Sequence, residues 1–442
     1  MPQNPPRSLR ALLRRMRMDV SPIRESRDFR LLLGSSMITM FGSFVTLVAV
    51  PYQAKELTGS YLVVGLLSAA ELIPMVVCGL WGGAIADALD RRKIIVYSEI
   101  GLCLSALALL VNALLPEPQI WVLYVAGAAS AGLFSIRGPS EQAVINRVLK
   151  LDQMGAAFAI QGLVRSIGSI AGPALGGVMV VALGPAISYS ADIVSFLVSL
   201  LLLVRVRTMA PPEGAAPASL DSLLAGVRYA VARPDLMGTY LVDIAAMAFA
   251  FSTSLFPFMA EQYGGSHESL ALGLLAASPG IGAVLASLTS GWTAHVHRHG
   301  LGVIISALFW GAWVAVAAVM PSIWLIIACL VAAGAADMYS GIFRGMVWNQ
   351  TIPDEYRGRL AGIELLSYST GPMLGNTRAS LMANLGGLRF SLGIGGLLCM
   401  LGVLTLGALL PKFRAYDVRT SDHAQAERTR RSEPTAAGEL SI

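Results

Sequence analysis

The feature that most constrains the fold is a series of long apolar runs that fills most of the chain. A helix needs about 20 mainly apolar residues to cross a bilayer, and the chain contains twelve runs of that kind. Those of the first half cover residues 31–55, 61–86, 94–115, 119–140, 156–183 and 186–206, and those of the second half cover 236–261, 268–294, 300–320, 322–346, 359–384 and 388–410. Because backbone in lipid must satisfy its own hydrogen bonds, we predict an all-α membrane protein with twelve transmembrane helices.

The composition excludes several classes of protein. Charged residues make up only 13% of the 442 residues, whereas a soluble domain carries about 25%. The net charge of +5 is scattered over short loops and tails, so we expect no nucleic-acid partner. No phosphate-binding GxxxxGK[ST] loop and no hydrolytic constellation of side chains is recognisable. We therefore expect neither an enzyme nor a cofactor.

Metal and disulfide chemistry are not indicated either. The four cysteines lie inside apolar runs and form no CxxC pair, which is typical of small buried residues. His295, His297 and His299 alternate in one loop, which would suit a metal ion. We favour an ordinary solvated loop and predict no metal site.

Basic residues set the expected orientation. The first thirty residues carry eight arginines, and only Lys55, Arg378 and Arg389 fall at the opposite side when the runs alternate from an inside start. Cytoplasmic loops carry an excess of Lys and Arg, and no signal peptide is visible. We expect a multi-pass protein of the bacterial inner membrane with both termini in the cytoplasm.

A cytoplasmic linker divides the chain into two halves. Residues 207–235 begin with several prolines and continue with apolar residues at helical spacing, which predicts one amphipathic helix. The expected parts are a basic tail (1–30), an N-terminal six-helix bundle (31–206), this linker (207–235), a C-terminal six-helix bundle (236–410) and a disordered cytoplasmic tail (411–442).

The halves resemble each other. The sequence GPALGG (172–177) in the fifth run has a counterpart in GPMLGN (371–376) in the eleventh, and SGWTAHVHRHG follows the eighth run where GGAIADALDRR follows the second. Internal repeats of this kind are typical of secondary transporters. Chance similarity between apolar segments is the alternative, but two pairs in the same order favour a duplicated fold.

The loop after the second run carries a recognisable motif. Its residues Gly83, Ala86, Asp87, Arg91, Arg92 and Lys93 resemble the GxxxD and basic cluster between helices 2 and 3 of the major facilitator superfamily. The resemblance implies two pseudo-symmetric six-helix bundles and a cytoplasmic gate facing the start of the eleventh helix. The gate candidates are Gly83, Asp87, Asp90, Arg91, Arg92, Arg357 and Arg359. A solvated loop that only fixes the topology is the alternative.

The fifth run resembles the helix 5 motif of antiporters in that superfamily. The matching residues are Gly168, Gly172, Pro173, Gly176 and Gly177. Glycines at this spacing let a neighbouring helix approach closely, and the proline favours a bend. We interpret the motif as a seam or hinge, with ordinary small-residue packing as the alternative.

Charged residues inside the runs are the candidates for coupling and substrate binding. A charge at the bilayer centre costs roughly 2.5–3.5 kcal/mol on insertion scales, so these residues need a partner, a wet cavity or a proton. They are Glu71, Arg165, Asp192, Asp243, Asp337 and, nearer a helix end, Glu364. Glu71 and Asp337 are the first choices as proton carriers. The alternative is a structural ion pair such as Glu71 with Arg165.

The resemblance also implies a function. Stretches such as YQAKELTGS, NALLPEP and IPDEYRGRLAG are similar to the enterobactin-exporter-like branch of drug and siderophore efflux proteins. That branch implies a monomeric, proton-driven antiporter that exports a small amphiphilic compound by alternating access, with substrate, protons and lipid as its partners. A facilitator or importer of a metabolite is the first alternative. A sensor or assembly subunit that has lost transport is the second.

Overall fold

The computed structural model describes residues 19–88, 90–207 and 228–432. Within them the chain is helical and contains no β-strand. The membrane helices are α1 (Arg27–Thr58), α2 (Tyr61–Ala88), α3 (Arg91–Leu114), α4 (Ile120–Val148), α5 (Met154–Leu183), α6 (Pro185–Leu203), α7 (Pro234–Ala250, continued by Phe256–Gly264), α8 (Glu268–Leu288), α9 (His299–Ala317), α10 (Ile323–Thr351), and α11 and α12, which are the two parts of Asp354–Leu409.

The number of helices agrees with the twelve apolar runs. By length and composition, ten stretches of the described residues can cross a membrane. Two of the ten, Pro234–Leu288 and Ser367–Leu409, contain 55 and 43 residues, and each is long enough to cross twice. The twelve-helix prediction is therefore consistent with the structure.

Local signals explain where several helices begin and end. The Ser26 hydroxyl accepts a hydrogen bond from the Phe29 amide and caps the start of α1, as serine commonly does. At the other end of α1, Gly59 adopts the left-handed conformation with φ of 60°, which favours glycine. Gly387, with φ of 84°, separates α11 from α12.

Helix α7 differs from the prediction of one continuous run from 236 to 261. It begins at Pro234, stops at Ala250 and resumes at Phe256 after a short 3-10 turn, Thr253–Leu255. The Asn376 side chain of α11 explains the break, because its Oδ1 accepts hydrogen bonds from the Thr253 hydroxyl (3.1 Å) and the Ser254 amide (3.0 Å). A side chain from a neighbouring helix thus replaces hydrogen bonds within α7.

The helices pack as two bundles of six. In the N-terminal half, α1 packs on α5 and α6, α2 on α4, and α3 on α4 and α6. The C-terminal half repeats this arrangement, with α7 packed on α11, α8 on α10, and α9 on α10 and α12. The halves meet along two seams, α2 with α11 and α5 with α8. The odd-numbered helices end at the face that we call the predicted periplasmic end.

The chain beyond α12 corrects one expectation. We expected disorder after residue 410, but residues 411–432 are folded and form two short helices, Pro411–Arg414 and Asp422–Ser432. Phe413 is fully buried against Gly238 and Gly300, so aromatic burial holds this segment on the C-terminal half. The hydrogen bond from Arg419 lowers the pKa of Asp417 to about 2.

The amphipathic helix expected in the linker falls mostly on residues 208–227, outside the described residues.

Candidate transport site

The glycines of α5 form one side of the two seams that this helix makes. Gly172 and Gly176 face α1, and a Cβ on Gly176 would lie 2.9 Å from the Val45 Cα. Gly177 faces the other half of the protein, where a Cβ would lie 2.4 Å from the Gly273 amide nitrogen of α8. The predicted motif thus lies where two backbones approach closely, as small residues allow. Gly168 and Pro173 are buried in the same helix.

The part of α5 nearer the predicted cytoplasmic end faces open space. A Cβ on Gly155 or Gly162 would meet nothing within 4 Å, and Arg165 is exposed. Two exposed apolar residues of the same helix, Leu163 and Ile167, lie on roughly the opposite face at 100° per residue. Arg165 therefore lies on the face of α5 opposite these two apolar residues, roughly in line with Gly162.

The α2–α11 seam closes the predicted periplasmic end. A Cβ on Gly65 would lie 2.2 Å from the Ser380 Cβ. The Thr377 hydroxyl donates to the Gly65 carbonyl at 3.2 Å, and the Asn376 amide donates to the Ser68 hydroxyl at 3.3 Å. Together with the Gly177–Gly273 contact, these contacts bring the halves together at this end.

The C-terminal half holds a buried cluster of charges around Arg344. Its guanidinium pairs with Asp243 of α7, and both side chains are only 3% exposed. Asp337, seven residues earlier on α10, lies 3.7 Å from the same guanidinium and is 40% exposed. The Ser367 hydroxyl donates to Asp243 at 2.8 Å. Two of the predicted coupling residues therefore share one arginine, which the sequence analysis did not single out.

Glu364 and Tyr368 of α11 extend this cluster. The Tyr368 ring lies below the Arg344 guanidinium, 5.2 Å from its centroid, and Glu364 interacts electrostatically with Tyr368, Arg344 and Asp243. If GPALGG is aligned with GPMLGN, Glu364 occupies the position of Arg165 in the repeat. The same position in the two halves thus carries opposite charges.

Glu71 is placed differently from the other acids. Its side chain lies against Gly127 of α4, where a Cβ would be 2.8 Å from Oε1. In the described parts of the chain, Glu71 has no hydrogen-bond or ion-pair partner. The alternative pairing of Glu71 with Arg165 is not observed. Because glycine has no side chain, Gly127 leaves room for this carboxyl group.

The remaining predicted acid, Asp192 of α6, is hydrogen-bonded within the N-terminal half. It is 2% exposed and accepts hydrogen bonds from the hydroxyls of Thr46 (2.5 Å) and Ser195 (3.2 Å). No basic side chain pairs with it among the described residues. Gly42 of α1 makes room for this contact, because a Cβ there would clash with both Asp192 and Ser195.

The sequence analysis also missed a second buried ion pair, between Glu99 of α3 and Arg137 of α4. The Arg137 Nε lies 3.3 Å from the Glu99 carboxylate, and the two side chains are 7% and 0% exposed. Arg137 also contacts Glu141 at 3.7 Å and the Thr39 hydroxyl of α1 at 3.4 Å. A signal was available, because IleArgGly at 136–138 and PheArgGly at 343–345 occupy corresponding helices of the two halves.

The structure describes the predicted gate only in part. Gly83, Asp87, Arg357 and Arg359 lie in helical backbone, but their side chains are outside the described residues. Asp90 caps α3 by accepting from the Arg92 amide at 2.9 Å. The Arg92 side chain donates to the Leu203 and Val204 carbonyls at the end of α6, a favourable site for a cation. These contacts lie within the N-terminal half.

Comparisons with known proteins agree with this architecture. A family model described as transmembrane secretion effector matches residues 18–439. The enterobactin exporter EntS of Citrobacter koseri is 30% identical over 398 residues, which cover 87% of this chain and 94% of that protein. EntS of Escherichia coli O1:K1 is 29% identical over 373 residues, covering 84% and 88%.

Solved structures show the same fold at low sequence identity. A crystal structure of the peptide transporter POT has a TM-score of 0.70 and 12% identity, covering 89% of this chain and 96% of that one. A bacterial homologue of the iron transporter ferroportin, in an inward-facing state, has a TM-score of 0.65 and 14% identity, covering 88% and 99%. Together with the match over nearly the whole chain, this shows that the protein is a multi-pass membrane transporter, not an enzyme, and belongs to the transmembrane secretion effector family of the major facilitator superfamily.

Proposed function

We propose that this protein is a proton-coupled exporter of a small amphiphilic compound, such as a siderophore or a drug, in the bacterial inner membrane. The observation that carries the proposal is the 30% identity to an enterobactin exporter over 94% of that protein's length. We further propose that it acts as a monomer. We also propose that both termini lie in the cytoplasm, because the basic residues are concentrated in the loops and tails on that side.

The open space beside α5 supports export from the cytoplasm. Glycines at the predicted periplasmic end of α5 touch α8, whereas Gly155, Gly162 and Arg165 face open space nearer the other end. In this conformation a substrate enters from the predicted cytoplasmic side. Arg165 of the N-terminal half and Asp337 of the C-terminal half provide charges for polar groups of the substrate. Tyr368, which is 40% exposed, provides an aromatic surface for its apolar part.

Glu71 and Asp337 are the proposed proton carriers. Glu71 lies among apolar helices with no partner in the described chain, so the protonated form avoids the cost of a membrane-embedded charge. Asp337 is the more exposed of the two acids that share Arg344. When Asp337 is protonated, Arg344 pairs with Asp243 only. The cavity then carries one negative charge fewer, and this change couples proton binding to substrate binding.

The energy available is sufficient for export. One proton moving inward across ~100 mV gains about 2.3 kcal/mol, and half a pH unit adds about 0.7 kcal/mol. About 3 kcal/mol supports a gradient of order a hundredfold for a neutral solute, since 1.4 kcal/mol is tenfold.

The test uses everted membrane vesicles with an imposed pH gradient and a panel of catechol siderophores and toxic amphiphiles. We expect one class of compound to accumulate against its gradient. Glu71→Gln and Asp337→Asn should retain binding but lose accumulation. Glu117→Gln, which removes an exposed carboxylate from the α3–α4 loop, serves as the control.

The alternatives give different results in the same experiment. Equilibration without accumulation in the wild-type protein would indicate a facilitator, and the absence of any transported compound would favour a sensor or assembly subunit. Accumulation at the wild-type rate in both acid variants would show that proton coupling resides elsewhere.

A further inference from the structure

An ion pair joins the two halves at the predicted periplasmic end. Lys55 lies in the last turn of α1, and Glu261 lies in the continuation of α7. The Lys55 Nζ is 3.1 Å from the Glu261 carboxylate, and the two side chains are 6% and 59% exposed. The lysine, which supplies the charge from the N-terminal half, is therefore the buried partner.

Lys55 has a second acidic partner on its own helix. Glu56 lies 2.7 Å from the same Nζ, and the Tyr52 ring centroid lies 5.4 Å from it. Glu268, at the start of α8, interacts electrostatically with Lys55. The acids that face Lys55 thus come from both halves, with Glu56 on the N-terminal side and Glu261 and Glu268 on the C-terminal side.

Other contacts between the halves surround this ion pair. The rings of Tyr61 and Phe258 lie 4.3 Å apart, centroid to centroid, and Tyr61 begins α2 while Phe258 belongs to the continuation of α7. Asn376 and Thr377 of α11 reach Ser68 and Gly65 of α2. The ion pair therefore lies beside the seam that holds this end shut.

We propose that Lys55 and Glu261 form a latch that holds the predicted periplasmic end closed and breaks each time that end opens. The latch rests on the alternating-access part of the proposed function. When the halves separate, Lys55 loses Glu261 but keeps Glu56, because both residues belong to α1. Breaking a buried pair is costly when it leaves a charge without a partner, so Glu56 keeps the cost of opening low enough for a repeated cycle.

This arrangement predicts the direction in which each substitution shifts the balance between the open and closed conformations. Glu261→Gln and Lys55→Gln remove the attraction between the halves, so both should shift the population towards the conformation that is open at the predicted periplasmic end. Glu56→Gln removes a carboxylate just as close to Lys55, but from the same half. Glu56→Gln takes away the partner that Lys55 keeps when Glu261 withdraws, so opening becomes harder. The population should therefore stay unchanged or shift towards the closed form.

The population can be measured by thiol labelling of Ser68→Cys, which reports on the α2–α11 seam. The background is the full chain with its four native cysteines replaced by alanine, purified in nanodiscs, and a maleimide reagent supplies the label. Labelling at Glu117→Cys, an exposed loop position, normalises for folding and reagent access. We expect Glu261→Gln and Lys55→Gln each to accelerate Ser68→Cys labelling at least threefold.

The double variant should label no faster than either single variant, because contact residues are not additive. The latch is refuted if Glu261→Gln labels at the parental rate, or if Glu56→Gln accelerates labelling as much as Glu261→Gln does. The second result would mean that only the local charge around Lys55 matters. The assay needs no substrate and no proton gradient, so its outcome is separate from that of the export experiment.

Discussion

Arg344 is a buried cation between two acids of the candidate site. Its guanidinium is 3% exposed, pairs with Asp243 and lies 3.7 Å from Asp337. The sequence pointed to both acids but not to the arginine that organises them, because an arginine near the end of an apolar run also suits a side chain that reaches the interface. Which side chain an acid meets depends on how two helices are rotated against each other.

At the residue scale, we predict that Arg344→Met is strongly destabilising. It leaves Asp243 buried with only the hydroxyl of Ser367, and removing one member of a buried pair typically costs 3–5 kcal/mol, so we expect a loss of about that size. A thermal melt of the purified protein measures it. The double variant Arg344→Met/Asp243→Asn should melt higher than Arg344→Met alone.

The control for this prediction is Arg419→Met, because the Arg419 side chain pairs with Asp417 at 3.0 Å but is itself 61% exposed, and pairs of exposed charges contribute only about 0–1 kcal/mol. Its melting temperature should stay that of the wild-type protein. If Arg344→Met also melts like the wild type, the buried pair does not stabilise the C-terminal half.

At the element scale, α5 combines two kinds of surface along one helix. Gly176 and Gly177 allow α1 and α8 to approach at one end, while Gly155 and Gly162 face open space at the other. The sequence showed the small-residue pattern, but it could not distinguish glycines in a seam from glycines beside a cavity. That distinction requires the position of α8, which belongs to the other half.

We predict that Gly177→Ala impairs transport while Gly162→Ala does not. A methyl group on Gly177 would lie 2.4 Å from the Gly273 nitrogen, which forces backbone to move and costs roughly 1–3 kcal/mol. Gly162→Ala meets open space and gains about 1 kcal/mol of helix propensity. The measurement is initial transport rate per amount of folded protein, and equal rates for the two variants would show that the α5–α8 seam does not need glycine.

The junction between α11 and α12 gives a second prediction at this scale. Gly387 has φ of 84° and ψ of 177°, a region of backbone conformation that is available essentially to glycine only and costs other residues of order 1–3 kcal/mol. Gly387→Ala should therefore lower the melting temperature. Gly393→Ala in α12, whose added Cβ would lie an ordinary 3.5 Å from Ala318, should have little effect.

At the scale of the whole molecule, the contacts describe two bundles that are closed against each other at the predicted periplasmic end. The seams α2–α11 and α5–α8 use corresponding helices of the two halves, as expected for rocking of one repeat against the other. Arg165 and Glu364, which are equivalent in the repeat, lie on opposite halves and carry opposite charges. Closure at the predicted cytoplasmic end would bring Arg165 and Glu364 towards each other.

The gate proposed at that end gives the last prediction. We propose that Asp87, at the end of α2, faces the start of α11, whose amide groups favour a negative charge. Asp87→Asn should reduce the transport rate at least tenfold without changing expression or insertion. Asp152→Asn, in the 3-10 turn before α5, is the matched control for loss of an acidic group, and a wild-type rate in Asp87→Asn would exclude the gate.

The sequence alone determined that the chain forms a helical membrane protein, and it predicts twelve membrane helices, two similar halves and the orientation. These depend on local properties, because a helix in lipid satisfies its own backbone and its apolar length can be read directly from the chain. Only the tertiary structure decided that Asp243 pairs with Arg344, that Glu99 pairs with Arg137, that Glu71 has no partner in the described chain, and that Lys55 reaches across to Glu261. These pairings join helices far apart in the chain, so they depend on helix rotation and on how the two halves dock.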